Sequence, residues 1–146
     1  VTGRIKHFIS AFGEHVIGEE VEKAMQAALK QFPETEITEF TVAPQVTPAA
    51  GLPHHEWLIE FGRPPADIHA FASVLDNHMR ALNVYYDDLI TGSILQPLKI
   101  TPLKPGAFVQ YMKSVGKLGG QNKVPRLSND RKIADGLQGY VVSEIY

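Results

Sequence analysis

Two alternating runs limit the fold of this chain more than any other feature. Ile37 to Val46 sets Ile37, Glu39 and Thr41 against Thr38, Phe40 and Val42, which is the period of a strand with one or both faces covered. His54 to Phe61 carries Trp57, Leu58, Ile59 and Phe61 and reads as a second strand. Only Thr47 to Pro53 lies between them, a loop of proline, glycine and alanine. A parallel pair needs a crossover of about a dozen residues or more, so these two strands are expected to run antiparallel. Their apolar side chains then require helices to cover the sheet.

The flanking segments supply those helices. Ile17, Val21, Ala24, Ala28 and Leu29 recur at helical spacing over about Glu19–Gln31. Glu19 and Glu20 stand in the first turn and Lys30 near the end, as the helix dipole favours. Ile68, Phe71, Leu75 and Met79 mark the inward face of a helix over Pro65–Leu82, with Pro65 suited to its first turn. Ile5–Phe12 and Leu95–Leu103 read as two further strands. Leu98 and Ile100 take one face of the latter, Lys99 and Thr101 the other, and Pro97 and Pro102 point to an edge position. Val84 to Ile90 reads as partly extended or turning. A third helix is expected from Ala107 to about Leu118, and a short one through Ile133, Ala134 and Leu137 behind the capping residues Ser128, Asn129 and Asp130. Tyr140-Val141-Val142 is apolar enough to dock. The first six elements follow the βαββαβ order of a ferredoxin-like α+β unit, with helices on one face of a four-stranded sheet and further helices at the C-terminal end.

Composition narrows the function classes. The 146 residues suffice for one domain with a core, at 44% hydrophobic and 21% charged. A net charge of −2 gives neither a nucleic-acid footprint nor a polybasic membrane anchor. There is no cysteine, so disulfides and thiolate chemistry are excluded. No apolar run reaches the ~20 residues of a membrane span, and no leader pattern opens the chain. A cytoplasmic protein is expected, without nucleic-acid or membrane partners. The direct opening into Thr2-Gly3-Arg4 reads as a cut at a domain boundary.

Chemistry-bearing residues are few. In His54-His55-Glu56, neighbouring strand side chains point to opposite faces, and the spacing fits no standard metal-ligand set. Asp87-Asp88 reads as a solvated or capping pair. The segment Gly119-Gly120-Gln121-Asn122-Lys123-Val124-Pro125-Arg126 stands apart. Two glycines give it freedom and Pro125 stiffens its end. That arrangement can hold the Lys123 ammonium at the rim of a domain, where it could meet charge on a phosphate or carboxylate. By residue type alone it reads as a solvated loop lysine.

Gly3-Arg4-Ile5-Lys6-His7-Phe8-Ile9 through Gly13, followed by Gly18-Glu19-Glu20-Val21-Glu22, resembles the hinge and start of the small C-terminal domain of adenylate-forming enzymes. Leu95-Gln96-Pro97-Leu98-Lys99-Ile100, Gly106-Ala107-Phe108 and then Gly119 to Arg126 are similar, in order and spacing, to the closing pattern of the acyl-acid amido synthetase (auxin-responsive Gretchen Hagen) family, in a bacterial-like version. Phe12-Gly13-Glu14 departs from the plant pattern, which leaves the acyl acid and the amino acid unassigned.

The resemblance implies a small domain whose large N-terminal adenylation partner, in the same chain, binds ATP with magnesium and a carboxylic acid. An acyl-adenylate forms, the small domain swings, and an amino acid amine attacks. It implies Lys123 as the catalytic cation, Arg4 and Lys6 at the hinge, and Gly119, Gly120, Pro125 and Arg126 as support of the loop. No cofactor is expected on the fragment alone. Two other classes remain open on the residues: a stand-alone ferredoxin-like binding module, and the C-terminal domain of a coenzyme A ligase-like enzyme.

Overall fold

The computed structural model describes residues 8–9, 16–46, 51–115, 126–128 and 130–142. Its centre is a three-stranded sheet of β3 (Glu36–Gln45), β4 (His54–Arg63) and β5 (Lys99–Leu103), in that spatial order. As expected, β3 and β4 are antiparallel, with Phe40 opposite Ile59 and Val42 opposite Trp57. β5 lies at the edge and runs parallel to β4, with Trp57 opposite Ile100. The first strand is placed differently from the expectation. The described part of Ile5–Phe12 is β1 (Phe8–Ile9), which pairs antiparallel with β2 (Val16–Ile17) in a separate ribbon. Both hydrogen-bonding edges of β4 are already taken, by β3 and β5, so β1 has no place beside it. The α+β class with ferredoxin-like character stands; its sheet has three strands rather than four among the described residues.

Alternation along the strands builds two cores. Phe40, Val42, Trp57, Ile59 and Phe61 face α1 (Gly18–Gln31) and α2 (Ile68–Leu82), which share one side of the sheet as their periodicity predicts. Val21, Ala24, Met25 and Ala28 of α1 and Ile68, Phe71, Leu75 and Met79 of α2 are buried there. Ala43, Leu58 and Leu103 point the other way, under α4 (Ala107–Ser114) and α5 (Lys132–Gly136). Every residue of β4 from His54 to Phe61 is buried in consequence.

Polar side chains decide where the helices start. α2 begins at Ile68 rather than Pro65, because the Asp67 carboxylate accepts from the backbone N–H groups of His69 (3.0 Å) and Ala70 (3.1 Å). Val84 to Thr91 forms a helix, α3, where an extended or turning segment was expected. The Asn83 side-chain oxygen accepts from the Tyr86 N–H at 2.9 Å and caps it. The strand expected from Leu95 begins only at Lys99. Pro97 has no N–H to give a ladder, and the Leu98 N–H is drawn to Asp76 at 3.2 Å. α4 starts directly after Gly106, whose φ of +83° is left-handed and suits glycine. The buried Glu60 carboxylate accepts from Gly106 N–H (2.8 Å) and Phe108 N–H (3.2 Å), so a sheet side chain sets the position of that helix.

Asp76 is buried inside the larger core and accepts from the Tyr86 hydroxyl at 2.5 Å. Burial first, and the Asp76 charge second, hold the phenol protonated well above its ordinary range. Tyr86→Phe removes this donor from a buried acid and is expected to cost about 1.5–3 kcal/mol in denaturant unfolding. With Tyr86 in place, stability should fall as pH rises past about 10, since the unfolded chain ionises there and the folded one does not. Unchanged stability of the phenylalanine variant would show that this hydrogen bond contributes nothing net.

The two outer edges of the sheet are each closed by one residue of the C-terminal third. Leu127 bridges Val42 in parallel, and Val141 bridges Leu103 antiparallel, so the Tyr140–Val142 segment does dock. No helix among the described residues is long and apolar enough to cross a membrane.

Candidate functional site: the anchor of the Gly119–Arg126 segment

Of the site residues that the resemblance implies, Arg126 is the one that the structure describes. Lys123, Gly119, Gly120, Pro125, Arg4 and Lys6 lie outside the described residues. Arg126 sits where the segment meets the outer edge of β3. Its carbonyl accepts from the Val42 N–H at 2.8 Å, and the Ser128 N–H donates to the Val42 carbonyl at 2.9 Å. Leu127, between them, is fully buried.

The Arg126 side chain is held as firmly as its backbone. Nε donates to Glu22 Oε2 of α1 at 2.6 Å. Nη1 donates to Glu39 Oε1 of β3 and to the Phe40 carbonyl, the latter at 3.2 Å. The guanidinium carbon stands 4.4 Å from the centre of the Phe40 ring, a cation–π contact. Phe40 in turn stacks on Trp57, with ring centroids 5.7 Å apart and planes within 7°. Burial works against the Arg126 charge, but the hydrogen bonds to Glu39 and Glu22 outweigh it, and the guanidinium is more firmly protonated than usual. A planar fork that meets two carboxylates, a carbonyl and an aromatic face is a role for arginine and not for lysine.

The other candidate clusters resolve into structure. His55 lies against Tyr86, with ring centroids 5.0 Å apart. Glu56 pairs with Arg131 at 2.8 Å and accepts from the Thr101 hydroxyl at 2.5 Å. Burial lowers the pKa of His54. Asp87 pairs with Arg80 at 2.6 Å. Among the described residues no three His, Asp or Glu side chains come together as metal ligands. An open groove of ~440 Å³ lies between α2 and β5, lined by Ile68, Ala72, Leu98 and Ile100 with His69 and Lys99. It is at the opposite edge of the sheet from Arg126.

The sequence singled out Arg126 but not its partners. Glu22 stands out only as part of a charged helix start and Glu39 only as one position of an alternating strand. They are 104 and 87 residues from Arg126, and no local pattern links them.

Comparison with known proteins agrees with this architecture. The family model described as the GH3 family C-terminal domain matches residues 19–132. Among solved structures, a GH3.15 acyl acid amido synthetase superposes with a TM-score of 0.74 at 20% identity, over 94% of this chain and 26% of that one. AtGH3.15 acyl acid amido synthetase in complex with 2,4-DB gives 0.72 at 20% identity, over 96% of this chain and 26% of that one. The chain therefore spans about a quarter of the length of these enzymes. No curated protein matches it. With most of its length matched by that family model, the chain belongs to the GH3 family, as a C-terminal domain of that family.

Proposed function

We propose that this chain is the mobile C-terminal domain of an ATP-dependent acyl-acid amido synthetase that adenylates a carboxylic acid and conjugates it to an amino acid. The observation that carries this reading is the family match over residues 19–132. Supporting it is the rigid seat of Arg126, three residues after Lys123. The substrate carboxylate attacks the α-phosphorus of ATP, pyrophosphate leaves, and a mixed anhydride with AMP forms. The amino acid amine then attacks the acyl carbon, AMP departs, and an amide remains. ATP and its magnesium are held by a large N-terminal domain of the same chain. This domain supplies the Lys123 ammonium to oxygens that gain charge during adenylation, the kind of contact that electrostatic catalysis depends on. Arg4 and Lys6 lie at the hinge that absorbs the rotation between the two steps.

Pyrophosphate release by the full-length parent across a panel of carboxylic acids tests the reading, with amino acids and coenzyme A compared as acceptors. An amide product is expected. A thioester would assign the chain to coenzyme A ligation, and the absence of acid-dependent pyrophosphate release would reject adenylation. The 146-residue chain by itself is expected to fold, on the two cores described above, and to release no pyrophosphate from ATP. Detectable ATP-dependent release by the purified chain would show that the large domain is dispensable.

A further inference from the structure

We infer that the exposed corner between α2 and α3, made by Leu82, Val84 and Tyr85, is a docking face for the large N-terminal domain of the same chain. The inference rests on the two-domain organisation proposed above and not on the role of Lys123. Residues 81–85 carry no charge. Leu82 is 40% exposed, Val84 61% and Tyr85 62%. A single exposed apolar side chain is ordinary, whereas neighbouring ones with a polar rim mark a contact surface. The rim here is the Asp87–Arg80 pair and the exposed Asp88. The two tyrosines of the corner are used in opposite ways. Tyr86 is fully buried and donates to Asp76, while Tyr85 stands in the open. Tyrosine is among the residues that interfaces favour. The corner is also stiff. Asn83, buried between the exposed residues, accepts from the Tyr86 N–H at 2.9 Å and donates from Nδ2 to Glu20 Oε1 at 3.1 Å. A preformed patch loses little conformational freedom when it is covered.

Position selects the occupant. Glu20 Oε1 also accepts from the Ile17 N–H at 3.1 Å, so one carboxylate joins the corner to the start of α1. The family match is to a C-terminal domain, and this chain covers 26% of each of the two solved synthetases. The rest of such a chain precedes α1, at the end of the domain where the corner lies. Size points the same way. A stable contact between free proteins takes about 800 Å² per partner, more than three partly exposed side chains provide. A domain joined through the chain acts at an effective concentration of about millimolar, at which a small apolar contact suffices.

The test is nitration of tyrosine by tetranitromethane in the full-length parent, read peptide by peptide by mass spectrometry, with and without magnesium ATP. In at least one of the two conditions Tyr85 should react about 10-fold more slowly than in the 146-residue chain, which corresponds to a corner covered about nine-tenths of the time. Val84→Asp in the parent should restore the fast rate. That change suits α3, whose first turn already holds Asp87 and whose N-terminal dipole favours a carboxylate. Tyr86 should stay unreactive throughout, as the internal sign that the domain is folded. Should Tyr86 react in the 146-residue chain, the comparison of the parent with its Val84→Asp variant still decides. Equal rates for Tyr85 in the parent and in the isolated chain, in both conditions, would overturn the inference. So would protection that survives Val84→Asp. Protection that disappears on dilution of the parent would also overturn it and assign the corner to a second copy. Protection without acid-dependent pyrophosphate release would keep the docking face and remove the proposed reaction. Release without protection would do the reverse.

Discussion

Lys123→Ala in the full-length parent is expected to slow acyl-adenylate formation by about 100- to 1000-fold, the usual loss for one contact to charge that develops in a transition state. Amide formation from supplied adenylate should be far less affected, because on the proposed mechanism the small domain would have rotated by then and carried the lysine away from the reacting carbonyl. The contrast follows from what an ammonium group does. It is a compact charge with three donors on a flexible stem, suited to oxygens whose charge changes during the reaction and of little use to a neutral amine attacking carbon. Arg126, three residues further on, is bound to Glu22, Glu39 and the Phe40 ring. On the proposed role the substitution should leave the melting temperature nearly unchanged, since surface substitutions usually move stability by less than about 0.5 kcal/mol. Single-turnover pyrophosphate release beside amide formation from adenylate gives the answer. Equal losses in both, or a marked fall in melting temperature, would mean that Lys123 has a structural role.

Phe71→Ala is expected to be the most damaging single change in the fold, costing about 3–5 kcal/mol in denaturant unfolding of the 146-residue chain. Phe71 is fully buried on α2, where it holds the helix against both α1 and the sheet. Its ring meets Phe32 edge-on at 5.2 Å and Phe61 edge-on at 6.2 Å. Such aromatic pairs add about 0.5–1.5 kcal/mol each beyond the area they bury. Truncation would leave a cavity between a helix and a strand that are held from both sides, so little collapse can repair it. For a domain whose total stability lies in the range of about 5–15 kcal/mol, that loss takes a large share. Phe71→Leu keeps most of the volume and should cost far less. Loss below about 1 kcal/mol in the alanine variant would show that α2 can settle into the space.

The two changes probe different parts of the molecule. Phe71 acts on the α1–α2 side of the sheet, which any protein with this fold must bury. Arg126 stands at the β3 edge, three residues after Lys123. Fold by itself does not assign chemistry; here the family match and the convergence on Arg126 carry the functional reading, and the half-reaction assays separate it from a purely structural one.

The sequence by itself determined the periodic elements. The inward faces of α1 and α2, the antiparallel β3–β4 hairpin, the edge position of β5 and the docking of Tyr140–Val142 all follow from side-chain spacing and turn residues, because these are local properties of the chain. The resemblance in Leu95 to Arg126 pointed to the family for a similar reason: it lies in contiguous residues. Tertiary structure decided what depends on partners far away in the chain. β1 pairs with β2 because both edges of β4 are taken, which no reading of Ile5–Phe12 alone can show. α3 forms because Asn83 caps it and Tyr86 finds the buried Asp76. α4 is set by Glu60, more than 40 residues earlier, through its bonds to Gly106 and Phe108. Glu22 and Glu39 meet at Arg126 across about a hundred residues of sequence, since α1, β3 and the Arg126 segment become neighbours only when the sheet is assembled. Hydrophobic period is written residue by residue, whereas the pairing of a buried or half-buried charge is a property of the assembled sheet, and the candidate site is made of such pairings.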